Sequence, residues 1–273
     1  MRGLIRHALG SLVLAVGLAA PSRARANPRP LPFTYVYETL GEGEAEVEQY
    51  ADVTPVKVLS AASGSPVWYG AMQLQTEIEY GITDRLELGL YATLVPTPGD
   101  SFTSLPTLTE GNGLKQRLRL RLAEEGDWPV DVALYGEVVE NDHEIELEGK
   151  VILGRRFGPL RAATNLWFER EWYFINQRDW VLNPTAGVTY QASPVVQPGI
   201  EGWMRVEFPD PAPHPRPFSV GPHVYAGPTI LLNFGRIWWS TGVYFRATDA
   251  THSMQPGEGF GPIWARTIVG VGL

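Results

Sequence analysis

The 273 residues contain no cysteine, which excludes a disulfide framework, a thiolate metal site, a thiol nucleophile and a lipid-modified cysteine. Basic residues are in deficit: 22 Lys and Arg stand against 30 Asp and Glu, a net charge of −8 with His neutral. Nucleic-acid affinity rests on basic contacts to phosphate, so no nucleic-acid partner is expected. No apolar run reaches the roughly 20 residues that a membrane-spanning helix needs. Apolar residues spaced three and four apart are nearly missing, so long amphipathic helices are not expected either. What the chain does have is 44% hydrophobic residues, too many for a disordered chain, and length enough for a sizeable core.

The N-terminus reads as an export signal. Arg2, Arg6 and His7 precede an apolar run over 8–20, and Ala24-Arg25-Ala26 offers a small-x-small cleavage site. Cleavage there removes 1–26 and starts the mature chain at Asn27. Four arginines and no acids leave with the signal, so the net charge falls by four to −12.

Beyond the signal, strict alternation recurs. Met72, Leu74, Thr76, Ile78 and Tyr80 share one face, while Gln73, Gln75, Glu77 and Glu79 share the other. Leu114, Gln116, Leu118, Leu120 and Leu122 oppose Lys115, Arg117, Arg119 and Arg121. Successive side chains of a strand point to opposite faces of its sheet, so these are strands. Twelve such segments are expected, near 45–53, 71–81, 85–95, 113–122, 130–139, 144–154, 160–170, 182–192, 196–207, 219–231, 236–247 and 262–273. Pro222 and Pro228 predict that the tenth is bulged or begins later, because proline cannot donate to a ladder.

The connections alternate too. The first, third, seventh, ninth and eleventh read as long and rich in Pro, Gly, Ser and Thr; most of the others read as tight turns, including the fifth around Asn141-Asp142-His143. In an up-and-down array that puts long loops at one end and short turns at the other, the build of a transmembrane β-barrel. The expected fold is therefore all-β, an up-and-down antiparallel transmembrane β-barrel of about twelve strands over 45–273. A signal peptide (1–26) and a periplasmic leader (27–44) precede it. An even strand count leaves both termini at the short-turn, periplasmic end.

The faces assign the surroundings. Strand interiors carry no Asp, Glu, Lys or Arg on the apolar face, as lipid demands, since a mid-membrane Arg or Lys costs about 2–4 kcal/mol. Lipid also forbids an open strand edge, so the sheet must close. Such a barrel sits in the outer membrane of a Gram-negative bacterium, reaches it through the outer-membrane assembly machinery, and needs no partner subunit. Aromatics near strand ends, among them Tyr80, Trp172, Tyr190 and Phe234, fit two interfacial girdles.

The string Thr76-Glu77-Ile78-Glu79-Tyr80-Gly81-Ile82-Thr83-Asp84-Arg85-Leu86-Glu87-Leu88-Gly89-Leu90 resembles a hairpin of bacterial outer-membrane barrels, among them transporters ascribed to phenol-degradation pathways. The stretch Tyr37-Glu38-Thr39-Leu40-Gly41-Glu42-Gly43, followed by Glu46-Val47-Glu48-Gln49, is similar to the start of a related outer-membrane family. The resemblance implies an outer-membrane barrel of porin-like type and specifies no substrate. The chain departs from the usual aromatic C-terminus, ending in Leu273.

Chemistry-bearing motifs are few, and no catalytic, cofactor or metal residues are expected. His143, His214 and His252 fall in connections, and His252-Ser253 lacks the His-x-Ser-Asn context of outer-membrane phospholipases, leaving a barrel hydrolase as a distant alternative. The informative constellation is the charged inner face. Glu77, Glu79, Arg85, Glu87, Lys115, Arg117, Arg119, Arg121, Asp131, Glu137, Glu144, Glu146, Glu148 and Lys150 are the expected lumen-lining residues. A basic ladder facing an acidic one gives a transverse field suited to a narrow passive channel for small solutes. The competing expectation is a structural or adhesive barrel, its lumen shut by salt bridges and its external loops making the contacts. About twelve strands lie between filled barrels of about eight and open porins of about sixteen.

Overall fold

A computed structural model describes residues 26–59, 66–94, 96–97, 107–108, 113–141, 143–175, 177–210, 221–248 and 260–273. Residues 1–25 of the segment expected as a signal peptide (1–26), Asp142, His214, His252, Ser253 and most of the three longest connections lie outside the described residues.

Twelve antiparallel strands form one closed sheet. They are β1 (Ala45–Leu59), β2 (Pro66–Thr83), β3 (Leu86–Leu94), β4 (Gly113–Arg121), β5 (Asp131–Asn141) and β6 (Glu144–Phe157). The others are β7 (Leu160–Tyr173), β8 in two pieces (Gln177–Leu182 and Thr185–Tyr190), β9 (Val196–Asp210), β10 (His223–Asn233), β11 (Ile237–Arg246) and β12 (Ile263–Gly272). Each pairs with its sequence neighbours, and β12 returns to β1 with Glu46 opposite Gly272 and Asp52 opposite Arg266. Closure leaves no edge, which is what a lipid setting requires.

Two interruptions have a common cause. Pro184 separates the two pieces of β8, yet both lie between β7 and β9, and the in–out alternation runs through the break unshifted. The β10–β11 ladder lapses between Ala226 and Thr229, around Pro228, and β10 starts only after Pro222. All three prolines lack the N–H that a ladder uses.

Several strands outrun their expected ends. β1 and β2 extend to Leu59 and from Pro66, and β7 and β8 are joined across 174–176, so two connections expected to be long are short. The remaining long connections, β3 to β4, β9 to β10 and β11 to β12, stay at one end. A two-residue ladder, Pro96–Thr97 with Thr107–Leu108, lies within the first of them. At the other end Leu273 N donates to Ala45 O, so the start and finish of the barrel meet.

The outward face is the apolar one. Met72, Ile78, Leu90, Leu114, Leu118, Leu134, Val138, Leu147, Leu166 and Ile200 are all exposed. Exposed rings bound this belt, with Tyr80, Phe157, Tyr190 and Phe234 toward the short-turn end and Phe168, Trp180, Phe208 and Phe245 toward the other. That inversion of the usual inside-out pattern fits a surface solvated by lipid.

The interior holds a surprise. Within the segment expected as a periplasmic leader (27–44), residues 29–40 lie inside the barrel, entering from the short-turn mouth, and 29–37 form an unbroken buried stretch. The physical reason is their composition. Phe33, Tyr35 and Tyr37 are bulky groups at alternate positions that pack against inward-facing Tyr135, Ile152, Trp203, Tyr225 and Tyr244, while Leu31 packs with Val36 and Ala163. We call 27–40 the strap.

Candidate functional site

The lumen wall carries most of the buried charge. On β4, the Arg117 guanidinium reaches Glu77 at 2.7 Å and Glu87 at 2.6 Å, and it also bonds Glu79. Arg119 contacts Glu87 at 2.8 Å. All five side chains are at most 1% exposed. Arg117 must cross β3 to meet the two β2 acids, and Gly89 is what lets it pass. A Cβ there would sit 2.5 Å from Arg117 Nε and 2.6 Å from Glu77 Oε1. Tyr91 and Tyr50 complete the group, Tyr91 accepting from Arg117 at 2.8 Å and Tyr50 donating to Glu77 at 2.6 Å.

Toward the long-loop mouth the wall is acidic. Arg205 on β9 spans β8 to hold Glu169 and Glu171, each at 2.7 Å, and Glu207 at 3.1 Å. Lys115 pairs with Glu137 at 3.4 Å, and Lys150 pairs with Glu148 while lying 3.6 Å above the Trp167 ring. Asp52 and Arg266 join β1 to β12 at 2.7 Å. Every one of these pairs lies within a strand or between strands that are neighbours or one apart. The charges therefore neutralise one another along the wall and do not bridge the lumen.

The strap does the bridging. Thr39 Oγ1 donates to Asp84 O at 3.0 Å and Leu40 N to Glu87 at 2.8 Å, which fixes the entry beside the β2–β3 turn. Deeper in, Tyr35 N donates to Asn165 Oδ1 at 2.8 Å, and Asn165 Nδ2 returns a bond to Tyr35 O at 2.9 Å. At the tip, Phe33 N and Thr34 N both donate to Glu201, which also accepts from Tyr244. The Phe33 ring lies 4.8 Å from Trp203, and Arg266 sits 3.7 Å above it. The chain then turns back toward its entry mouth, where Arg29 meets Glu48 at 3.4 Å and also bonds Tyr50. The Arg29 guanidinium also lies 3.8 Å above the Tyr35 ring, so an anion and an aromatic face both meet its charge. Among the described residues, no backbone-to-backbone bond ties 27–40 to the wall. The strap is held by wall side chains, by the Asp84 carbonyl that Thr39 reaches, and by its own packing.

Of the expected lumen residues, Glu77, Glu79, Glu87, Arg117, Arg119, Asp131, Glu137, Glu148 and Lys150 are buried on the inner face. Lys115 and Glu146 face inward and are partly covered. Arg121 lies at the short-turn mouth against Glu124, and Glu144 at the opposite mouth, bonded by Asn141. Arg85 is a correction: it occupies the turn between β2 and β3 and pairs with Glu124 at the exposed rim, because β3 begins one residue later than expected. The expectation missed the inward rings Tyr50, Tyr91, Tyr135, Trp203, Tyr225 and Tyr244. Their signal was present, since each falls on the polar parity of its strand.

A closed twelve-stranded antiparallel barrel with an apolar exterior and a charged interior is the architecture of outer-membrane barrels. No protein-family model matches the chain, and no curated protein matches it in sequence. Solved structures do resemble it. An outer membrane channel from Pseudomonas putida F1 superposes with a TM-score of 0.51 at 12% identity, over 87% of this chain and 98% of that one. The NanC porin superposes with a TM-score of 0.55 at 8% identity, over 84% of this chain and 98% of the porin. At such identities the likeness establishes the transmembrane barrel fold.

Proposed function

We propose that the protein is a narrow passive channel of the Gram-negative outer membrane, held shut by its own N-terminal strap. The observation that carries this reading is the division of labour inside the lumen. Wall charges pair along the wall, whereas the centre is occupied by a segment that shares no ladder with it. A plug held by side chains can leave without unfolding the sheet. That a channel and a porin are among the structures it resembles supports a transport role, as does the resemblance of the 76–90 hairpin to outer-membrane transporters. With both termini on the periplasmic side, the strap enters from the periplasm and the long loops face outward. A closed barrel completes its own hydrogen bonds, so the working unit is a monomer.

With the strap displaced, a solute would meet the basic wall of β4 on one side and the acidic residues of β6, β7 and β9 on the other. Small polar solutes fit such a path. Liposome swelling tests the reading: a strap-deleted chain (28–38 removed) should admit small sugars, and the intact chain should admit them slowly or not at all. A deleted chain that folds but admits none would favour the structural barrel with functional loops.

A further inference from the structure

Asn27, the first strap residue, has its backbone nitrogen 2.6 Å from Glu46 Oε2. Glu46 is fully buried at the start of β1, and its other oxygen accepts from Trp238 Nε1. Around it stand more acids: Glu79 is its register partner on β2, and Glu48 follows two residues on. Among the described residues, no Lys or Arg forms an ion pair with Glu46, whereas Glu48, Glu77, Glu79 and Glu87 each have an arginine. A buried carboxylate met only by neutral donors is costly. The fold lacks one cation at this spot.

The sequence supplies one. The expected cleavage site lies between Ala26 and Asn27, so the nitrogen facing Glu46 is the one that processing would free. We propose that removal of residues 1–26 by a signal-processing peptidase creates a buried ion pair between the Asn27 α-ammonium and Glu46, which clasps the strap in the lumen. In that hydrolysis the Ala26–Asn27 C–N bond breaks and water adds across it. Its oxygen completes the Ala26 carboxylate, and both of its protons join the Asn27 nitrogen to give the ammonium. A neutral amide donor thereby becomes a cationic one at the same place, adding the attraction of opposite charges to a hydrogen bond that the carboxylate already strengthens.

The clasp has a consequence for the whole segment. Residue 46 begins the barrel and residue 27 begins the mature chain, so their pairing closes the intervening strap into a non-covalent ring. Asn27 Nδ2, 3.4 Å from Glu38 O, draws the two strap limbs together at the same mouth. Before cleavage the strap's far end continues into the signal. After cleavage it is tied, and the plug becomes complete only in the processed protein.

The test uses the full chain, exported by a Gram-negative host and purified from its outer membrane. Intact mass should show a mature chain starting at Asn27; any other start overturns the proposal. Limited chymotrypsin digestion then reads strap exposure at Phe33, Tyr35 and Tyr37. Glu46→Gln, and separately a glycine inserted between Ala26 and Asn27, should each speed strap cleavage roughly tenfold, the scale of one lost bond to a charged group. Combined, they should do no more than either alone, because both remove the same pair. Wild-type cleavage rates in both, or effects that multiply, would overturn it. Mobility of unheated samples on gels confirms that each barrel is folded, and the insertion lies outside the barrel strands. These readouts do not involve conduction, so they stand or fall separately from the channel reading.

Discussion

The wall and the strap solve the same problem, burying polar groups in one lumen, by different means. The wall fixes its backbone by ladders closed on themselves, then neutralises its charges laterally, as Arg117 does with Glu77, Glu79 and Glu87. The strap has no ladder and borrows wall side chains, Glu201 for Phe33 and Thr34 and Asn165 for Tyr35. Cooperativity differs accordingly. Breaking a wall ion pair strands charge inside a closed sheet, whereas breaking a strap bond frees one segment and leaves the sheet intact. On the proposed reading the barrel is both rigid and openable, with stability lodged in the wall and opening in the strap.

That contrast can be broken most forcefully at Arg117. Arg117→Met should destabilise the barrel by about 3–5 kcal/mol, because buried Glu77 and Glu79 lose their arginine together while Glu87 is left with Arg119 alone. Chemical unfolding in detergent or vesicles measures this; a loss below that of an ordinary surface change would show that the charges are not interdependent. Gly89→Val asks whether the crossing itself matters. Its side chain would occupy the space of the Arg117 guanidinium, at an expected cost of about 1–3 kcal/mol with every charge retained.

The strap should answer differently. Asn165→Leu removes the paired bonds to Tyr35 at a cost of about 0.5–1.5 kcal/mol each. Protease sensitivity at the strap should rise while the unfolding midpoint of the sheet moves little. If the two changed in step, strap and wall would be one cooperative unit. Smallest of all is Arg85→Ala, since an exposed pair such as Arg85–Glu124 contributes about 0–1 kcal/mol. Its unfolding curve should be almost that of the wild type.

The wall was largely legible in the sequence because period-2 alternation is local. Leu114 to Leu122 against Lys115 to Arg121 already assigns inside and outside, and twelve segments already imply closure in lipid. The strand ends were not legible. Trp172, Tyr173 and Phe174 read equally well as a loop or as a strand rising through the interface, and β7 in fact runs to Tyr173. The ladder of β4 was visible as a row of cations, but its pairing depended on reach across a neighbouring strand through Gly89, which no alternation encodes. The strap was hidden for a further reason. Its burial is decided by partners scattered over the wall, at positions 48, 87, 165 and 201. The alternating bulk of Leu31, Phe33, Tyr35 and Tyr37 was its one local sign.

The most direct measurement is single-channel recording in planar bilayers, comparing the intact mature chain with one lacking residues 28–38. A strap that plugs an otherwise open wall predicts a silent intact protein, or one with rare brief openings, and steady discrete steps after deletion. Charge reversal at Arg117 and Arg119 should then alter ion selectivity in any variant that still folds. Equal currents from both chains, or silence from a folded strap-deleted barrel, would contradict the account.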